Sequence, residues 1–224
     1  MKKIEHKNVE EYLSILWKNL QSQGISGEKL SLQNILISKY SEKHRAYHNT
    51  NHILTMLFEF EKVKSFLVDP VAVETAIWFH DVVYDTHSTN NEKQSTEVFE
   101  KTAKQLGLSN KFTTKVKNLI LATKHNTILT DNDAQFLADI DLTALGKLEK
   151  DFKKDGIKIR KEYSWVPENR FVSERIKLLQ SFLNRPTIFY THFFQEKYEH
   201  VAQKNLKQAI KILQFSEGKD SKRS

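Results

Sequence analysis

Glycine and proline are scarce in this sequence, and this scarcity limits its fold more than any other feature. Only six Gly and three Pro occur among 224 residues. Strands joined by tight turns usually need more of both residues. Apolar side chains instead recur at intervals of three and four nearly throughout the chain, which is the spacing of one helix face. The sequence therefore predicts an all-α fold.

Capping residues predict where several helices begin and end. Asp69-Pro70 is a start signal, because a capping acid precedes a proline at the first helical position. Asn49 is a candidate cap for the preceding helix, and Gly107 is predicted to end a later one. The predicted helices cover residues 9–23, 28–40, 50–67, 70–84, a stretch after the polar loop 85–92 that ends at 106, 109–125, 134–145, 148–163, 167–184 and 191–215.

The chain length suits one domain. A protein of 224 residues can bury a substantial core without dividing in two. We find no internal repeat, linker or low-complexity block. We therefore predict one helical domain at 1–215, a single irregular bundle of about nine to ten helices, followed by a polar, disordered tail at 216–224.

The absence of cysteine and the N-terminal segment indicate the cellular compartment. The sequence has no Cys, which excludes disulfides and thiolate metal sites and fits a reducing environment. The segment "MKKIEHKNVEEYL" carries acids where a signal peptide needs an apolar stretch. No apolar run approaches the ~18 residues that span a bilayer. We expect a soluble cytoplasmic protein with no membrane partner.

The net charge is +7, from 35 Lys and Arg against 28 Asp and Glu. An excess of positive charge makes nucleic acid or phosphorylated ligands candidate partners. The charges are dispersed, however, and no basic block with interleaved aromatic residues occurs, which favours an ordinary Lys-rich solvated surface. Nucleic acid is not the expected partner, and binding that weakens steeply with salt would be the mark of that alternative.

Histidines and acidic residues interrupt segments that are otherwise mostly apolar and are expected to pack in the core. His48 and His52 in "YHNTNHILTML" are four residues apart, so they would share one face of a helix. The pair His80-Asp81 falls within "AIWFHDVVYD", where an ionised carboxylate needs a compensating partner. Asp139 and Asp141 lie similarly in "FLADIDLTALG". A helix cap or a buried salt bridge could explain any one carboxylate. A divalent cation would explain the whole set, and imidazole with carboxylate ligands suits Mn, Fe, Co, Ni or Zn better than Ca.

The pattern resembles the HD-domain superfamily of metal-dependent phosphohydrolases, which is named for its His-Asp pair. The order His52, His80-Asp81, Asp141 is similar to the superfamily's ligand order. "YHNTNHI" and "ADIDLT" resemble two segments of cyclic-nucleotide phosphodiesterases, which belong to the same superfamily. The segments "RAYHNTNHI", "AIWFHDVVYD", "NEKQS", "ATKH" and "IRKEY", from about Arg45 to Asn205, are similar to bacterial proteins described as predicted HD-superfamily phosphohydrolases.

The resemblance implies a helical bundle of the HD-domain type around a divalent metal ion. It implies His52, His80, Asp81 and Asp141 as metal ligands, and it favours Asp141 over Asp139 as the last of them. The ion would be Mn, Fe, Co, Ni, Zn or Mg. His48 falls where the phosphodiesterases keep a general acid that protonates the leaving oxygen. The further His residues and the Gln-bearing pocket that bind cyclic nucleotides have no counterpart here, so a cyclic nucleotide is not the expected substrate.

Other residues near the motifs are candidates for supporting roles. Asp81 or Asp139 could take a proton from the attacking water. Candidates for a second metal, or for groups that hydrogen-bond to the ligands, are Asp85, Glu92 and His125, and candidates for phosphate or substrate binding are Arg45, Lys124, Arg160 and Tyr163. Each of these cations also fits an ordinary surface residue.

The predicted function is metal-dependent hydrolysis of a phosphate ester, in a nucleotide or another small phosphorylated metabolite. A metal-activated water is the natural nucleophile for this reaction. The alternative is a regulatory protein that keeps the metal cage and binds a metal or nucleotide without turnover, because fold and motif alone do not establish activity.

Overall fold

The computed structural model describes residues 7–220, with side chains through residue 215. Helices dominate this part of the chain, and no strand occurs within it. The prediction of an all-α protein is therefore confirmed. The α-helices are α1 (Val9–Gln21), α2 (Lys29–Tyr40), α3 (Thr50–Val63), α4 (Pro70–Phe79), α5 (Asn91–Leu106), α6 (Asn110–Ala122), α7 (Asn132–Leu142), α8 (Glu149–Glu162), α9 (Glu168–Leu183), α10 (His192–Phe194) and α11 (His200–Asp220).

Short turns of other helix types extend or join these elements. The 3-10 turns Lys64–Phe66 and Thr143–Gly146 follow α3 and α7, and the π-helical turn Gln195–Glu199 joins α10 to α11. When α10, the π turn and α11 are taken as one helix, residues 7–220 contain ten helices, in agreement with the predicted nine to ten.

The predicted caps are confirmed. The Asp69 carboxylate accepts a hydrogen bond from the Ala72 N–H at 3.0 Å, with Pro70 at the start of α4. The Asn49 side-chain oxygen accepts the Asn51 N–H at 2.9 Å, which fixes the start of α3. Gly107 ends α5 with φ of 72°, a left-handed conformation that favours glycine. Local sequence thus sets these helix ends.

Helix α4 ends at Phe79, although the apolar pattern predicted a helix to residue 84. The last helical bond runs from the His80 N–H to the Ala76 carbonyl, and the chain then turns. Side chains from elsewhere take the next backbone groups: Arg45 binds the carbonyls of Asp81 and Val82, and the Ser95 hydroxyl accepts the Val83 N–H at 3.1 Å. These tertiary partners satisfy backbone groups that a further helical turn would otherwise pair, so the helix can end at Phe79.

The chain divides into two compact units, the first ending at Ile140 and the second beginning at Asp141. Helix α4 is the core of the first unit, since residues 72–79 are all buried, and it packs against α1, α3, α5 and α6. A helix that is buried on every side occupies the middle of its layer. The His80-Asp81 pair directly follows the last residue of α4, and it therefore lies in the interior of this unit.

The second unit is built on α9 and α11, with α8 and the turn Thr143–Gly146 packed beside them. Asn205 on α11 is 2% exposed and donates to the carbonyls of Leu145 and Lys147, both at 2.8 Å. These bonds anchor the start of the unit to its last helix. The single domain predicted at 1–215 stays a prediction.

The C-terminal end of the described chain is helical. Helix α11 runs to Asp220, so residues 216–220 of the predicted tail are helical, and residues 221–224 lie outside the described part. Within residues 7–220 no helix is both long and apolar enough to cross a bilayer.

Candidate metal centre

Three potential ligands converge in the first unit. His52 lies in the first turn of α3, and His80 and Asp81 follow the end of α4. His52 Nε2 is 3.3 Å from His80 Nε2, which in turn is 3.1 Å from Asp81 Oδ2. Among the described residues, these three form a group whose ligand atoms all lie within 4.8 Å of one another. The structure therefore brings together three of the four predicted metal ligands.

The tautomer of His80 follows from its other ring nitrogen. Nδ1 lies 2.9 Å from the backbone carbonyl of Ile77, one turn back on α4, so it carries the proton and donates it there. Nε2 faces His52 and Asp81, where the neutral ring offers a lone pair and the protonated ring an N–H to the Asp81 carboxylate. His80 is 1% exposed, so this orientation is held by packing as well as by the hydrogen bond. Metal-binding histidines usually have this second contact.

The charge of Asp81 depends on its neighbours. Burial alone would raise the pKa of this carboxyl, but the charge of His80, the hydrogen bond from the same ring and the charges of His48 and His52 together lower it below its ordinary value. The side chain retains 16% exposure, so it can also reach a ligand from solvent. Asp81 is thus an anion at neutral pH, as a metal ligand must be.

Arg45 holds the His-Asp turn in place. Its guanidinium donates to the backbone carbonyls of Asp81 at 2.6 Å, Val82 at 3.1 Å and His48 at 3.2 Å, and it pairs with Glu42 at 2.9 Å. The side chain is fully buried. These contacts give Arg45 a structural role, and its predicted role in phosphate binding stays a prediction.

Aromatic rings surround the ligands on one side. The ring of His48 stacks on Tyr84, with centroids 4.0 Å apart and an angle of 27° between planes. Its centroid is 5.7 Å from that of His52, and Tyr47 lies edge-on to His48 at 4.8 Å. His48 precedes α3 and does not lie on the helix, since its neighbour Asn49 is the cap. The predicted pairing on one helix face is thus wrong, but the two rings are still neighbours.

Sequence reasoning assigned no role to Tyr84 or Glu42. Tyr84 lies three residues after Asp81, and its backbone carbonyl contacts His44 Nε2 at 2.9 Å while its ring packs on His48. A tyrosine ending an apolar run beside a His-Asp pair was the available signal. Glu42 lies three residues before Arg45, so this local spacing of opposite charges was the available signal for their ion pair.

The candidates for a second metal are not part of the three-ligand group found among the described residues. The Asp85 carboxylate is 58% exposed and accepts hydrogen bonds from the backbone N–H and the ring of His87. The backbone hydrogen bond is the main cause of its lowered pKa. Glu92 lies in the first turn of α5, and His125 follows α6 with φ of 56°. Asp85 is therefore occupied by a local turn, and the metal roles of Glu92 and His125 stay predictions.

Of the remaining predicted substrate ligands, Lys124 is exposed and donates to the Thr89 carbonyl at 3.3 Å. Arg160 belongs to the second unit, where it donates to the carbonyls of Tyr163 and Val166 and pairs with Glu168 at 2.8 Å. These contacts join the end of α8 to the start of α9. They give Arg160 a structural role, and substrate binding by Tyr163 and Lys124 stays a prediction.

Asp139 and Asp141 lie on α7, at the end of the first unit and the start of the second. Asp139 is 0% exposed, so its carboxylate must be compensated within the protein. Asp141 is partly exposed. The assignments of Asp141 as the fourth ligand and of Asp139 as a proton acceptor stay predictions.

Comparisons with known proteins add no relationship. No family model matches the chain, no curated protein matches it, and no solved structure matches it. The function of the site must therefore be argued from its geometry and from the motif resemblance.

Proposed function

We propose that the first unit binds a divalent cation through His52, His80 and Asp81, and that the protein uses it to hydrolyse a phosphate ester. The observation that carries this proposal is the convergence of two imidazole nitrogens and one carboxylate oxygen in a nearly closed interior. Asp141, implied by the resemblance to HD-domain proteins, is the proposed fourth ligand.

A cation suits this arrangement better than hydrogen bonding alone. Neutral His80 keeps its proton on Nδ1 against Ile77, so its Nε2 lone pair faces both His52 Nε2 and Asp81 Oδ2. A single proton on His52 can serve one acceptor at a time. A divalent cation can take all three lone pairs together. Two imidazoles and a carboxylate favour Mn, Fe, Co, Ni or Zn over Mg.

The surrounding residues suit proton transfer to a leaving group. A bound divalent cation would lower the pKa of water and polarise a phosphoryl oxygen, which is the chemistry of metal-dependent phosphohydrolases. His48 stands beside the ligand His52 and is held flat against Tyr84, so its ring has a defined direction. An imidazolium N–H can donate a proton to the departing oxygen. Asp81 or Asp139 is the proposed acceptor for the proton of water.

The proposed substrate is a nucleotide or another small phosphorylated metabolite. The test is hydrolysis of a panel of phosphomonoesters, phosphodiesters and nucleotides by protein reconstituted separately with Mn, Fe, Co, Ni, Zn and Mg. We expect turnover by the wild type with at least one ion. The matched control is His87→Ala, which removes an exposed histidine that also faces an aspartate and should keep full activity.

Two outcomes would count against the hydrolase assignment. Equal activity in wild type and His80→Ala would place the reaction elsewhere or in a contaminant. Stoichiometric metal binding without turnover on any class of phosphate ester would favour the alternative, a regulatory protein that binds a metal or nucleotide.

A further inference from the structure

The second unit contains a groove that no step of the proposed reaction uses. It lies between α8, α9 and α11 and encloses about 420 Å³. Pockets for small organic ligands usually measure about 300–1,000 Å³. The groove is therefore large enough for one compact molecule.

The walls of the groove are largely apolar. Phe152 and Ile157 on α8 face it, with Phe171 and Leu179 on α9 and Ile212 on α11. Ile157 is 71% exposed and Ile212 is 57% exposed, so apolar surface here remains in contact with water. An occupant with an apolar body would cover that surface, which is the main source of affinity in such sites.

A glycine in the wall keeps the groove open. Gly156 lies inside α8, where glycine is a poorer helix former than alanine. A Cβ atom at this position would meet nothing within 4 Å, and the backbone conformation does not demand glycine. No neighbouring residue in the described chain would clash with a Cβ atom at this position, so packing within the protein does not explain the glycine. A molecule bound in this space would explain it.

A buried acceptor and the local charge indicate the ligand's polar groups. The Gln208 Oε1 atom, in a residue that lines the groove, is buried and accepts no hydrogen bond from the residues that the structure describes. A buried carbonyl oxygen left in this state is costly, and a ligand N–H or O–H would satisfy it. Three basic and two acidic residues line the groove, namely Lys153, Arg160 and Arg175 against Glu149 and Glu168, so the formal charge is +1 and an anion is favoured.

We propose that this groove is a binding site for a small amphipathic anion, with an aromatic or aliphatic body against the apolar wall and one N–H or O–H donated to Gln208. The site is independent of the metal centre and of its proposed reaction. Its ligand would be an organic acid of the size of a substituted naphthalene.

The probe for the test is 1-anilinonaphthalene-8-sulfonate, an aromatic anion with one N–H donor. We expect saturable binding at one site per chain in the folded wild type, followed by fluorescence and by calorimetry. Gly156→Leu places a side chain in the groove and should weaken binding at least tenfold. Gln208→Met keeps the bulk but removes the acceptor, and should weaken it about threefold to tenfold.

The matched control is Lys154→Leu, which adds the same side chain to the same helix at an exposed position outside the groove. It should bind like the wild type. Unaltered binding by both Gly156→Leu and Gln208→Met, or no saturable binding by the wild type, would overturn the proposal. If Gly156→Leu does not fold, Gln208→Met decides alone. A wild-type dimer that Gly156→Leu dissociates would assign the groove to a second copy, which also overturns it.

Discussion

Arg45 Nη1 lies 2.6 Å from the backbone carbonyl oxygen of Asp81, and this bond connects two parts of the chain that are 36 residues apart. The same guanidinium also binds the carbonyl of His48. One buried arginine therefore sets the position of the His-Asp turn relative to the segment that carries the proposed general acid.

The first prediction concerns this arginine. Arg45→Lys keeps the positive charge but cannot direct donors to three carbonyls and a carboxylate at once. We expect a loss of roughly 2 to 3 kcal/mol in the free energy of unfolding, because hydrogen bonds from charged groups are strong and the abandoned carbonyls stay buried. Urea denaturation measures it. We also expect metal affinity to fall about 10- to 100-fold, as for other groups that orient ligands.

Lys43→Ala is the control for this prediction, since Lys43 is exposed and lies two residues away. It should leave both stability and metal affinity unchanged. Wild-type behaviour of Arg45→Lys would mean that the His-Asp turn does not depend on the arginine.

The second prediction concerns the proposed general acid. His48→Asn removes the imidazole ring while keeping a polar side chain of similar reach. We expect kcat to fall about 10²- to 10⁴-fold, the usual contribution of a positioned acid, with metal content unchanged. The steady-state rate and the metal content are measured on the same preparation. Full turnover in a metal-loaded variant would show that another group protonates the leaving oxygen.

The fold was largely predictable because its signals are local. The start of α4 depends on Asp69 and Pro70, and the end of α5 on Gly107, and each of these acts through neighbours within a few residues. The grouping of His52, His80 and Asp81 was also predicted, from apolar segments that contain titratable side chains and from the resemblance to HD-domain proteins.

Features that depend on distant partners were not predictable. Nothing near Phe79 in the sequence indicates that α4 ends there, because the competing donors to the following carbonyls come from Arg45. The sequence also shows Arg45 as a cation but does not show that its guanidinium reaches the carbonyls of Asp81 and Val82, 36 and 37 residues away. Long-range hydrogen bonds thus account for the difference between the predicted and the observed end of α4.

The third prediction is a pH dependence in the core of the first unit. Glu74 on α4 is 1% exposed and accepts a hydrogen bond from Asn19 at 2.5 Å. Burial raises its pKa above the ordinary 4.5, despite the Asn19 bond and nearby lysines. The folded protein therefore holds this proton to higher pH than the unfolded chain does. Stability from Glu74 is complete below pH 4.5 and is lost as the pH rises through the raised pKa.

Glu74→Gln keeps the acceptor for Asn19 but has no charge to bury. We expect the variant to unfold like the wild type near pH 4 and to be more stable by on the order of 1 kcal/mol near pH 8. Denaturant unfolding across this range measures the difference. Glu97→Gln, at an exposed position on α5, is the control and should show no such trend. A Glu74→Gln variant less stable than wild type at pH 8 would show that the carboxylate is stabilising as an anion.

The central claim is that His52, His80 and Asp81 bind a metal ion, and elemental analysis of the purified protein tests it most directly. The wild type, His87→Ala and a double variant, His80→Ala with Asp81→Ala, are prepared without chelators or a histidine tag. We predict about one or two transition-metal ions per chain in the wild type and in His87→Ala, and none in the folded double variant. A wild-type protein that contains no metal and takes up none of Mn, Fe, Co, Ni or Zn on titration would contradict the account.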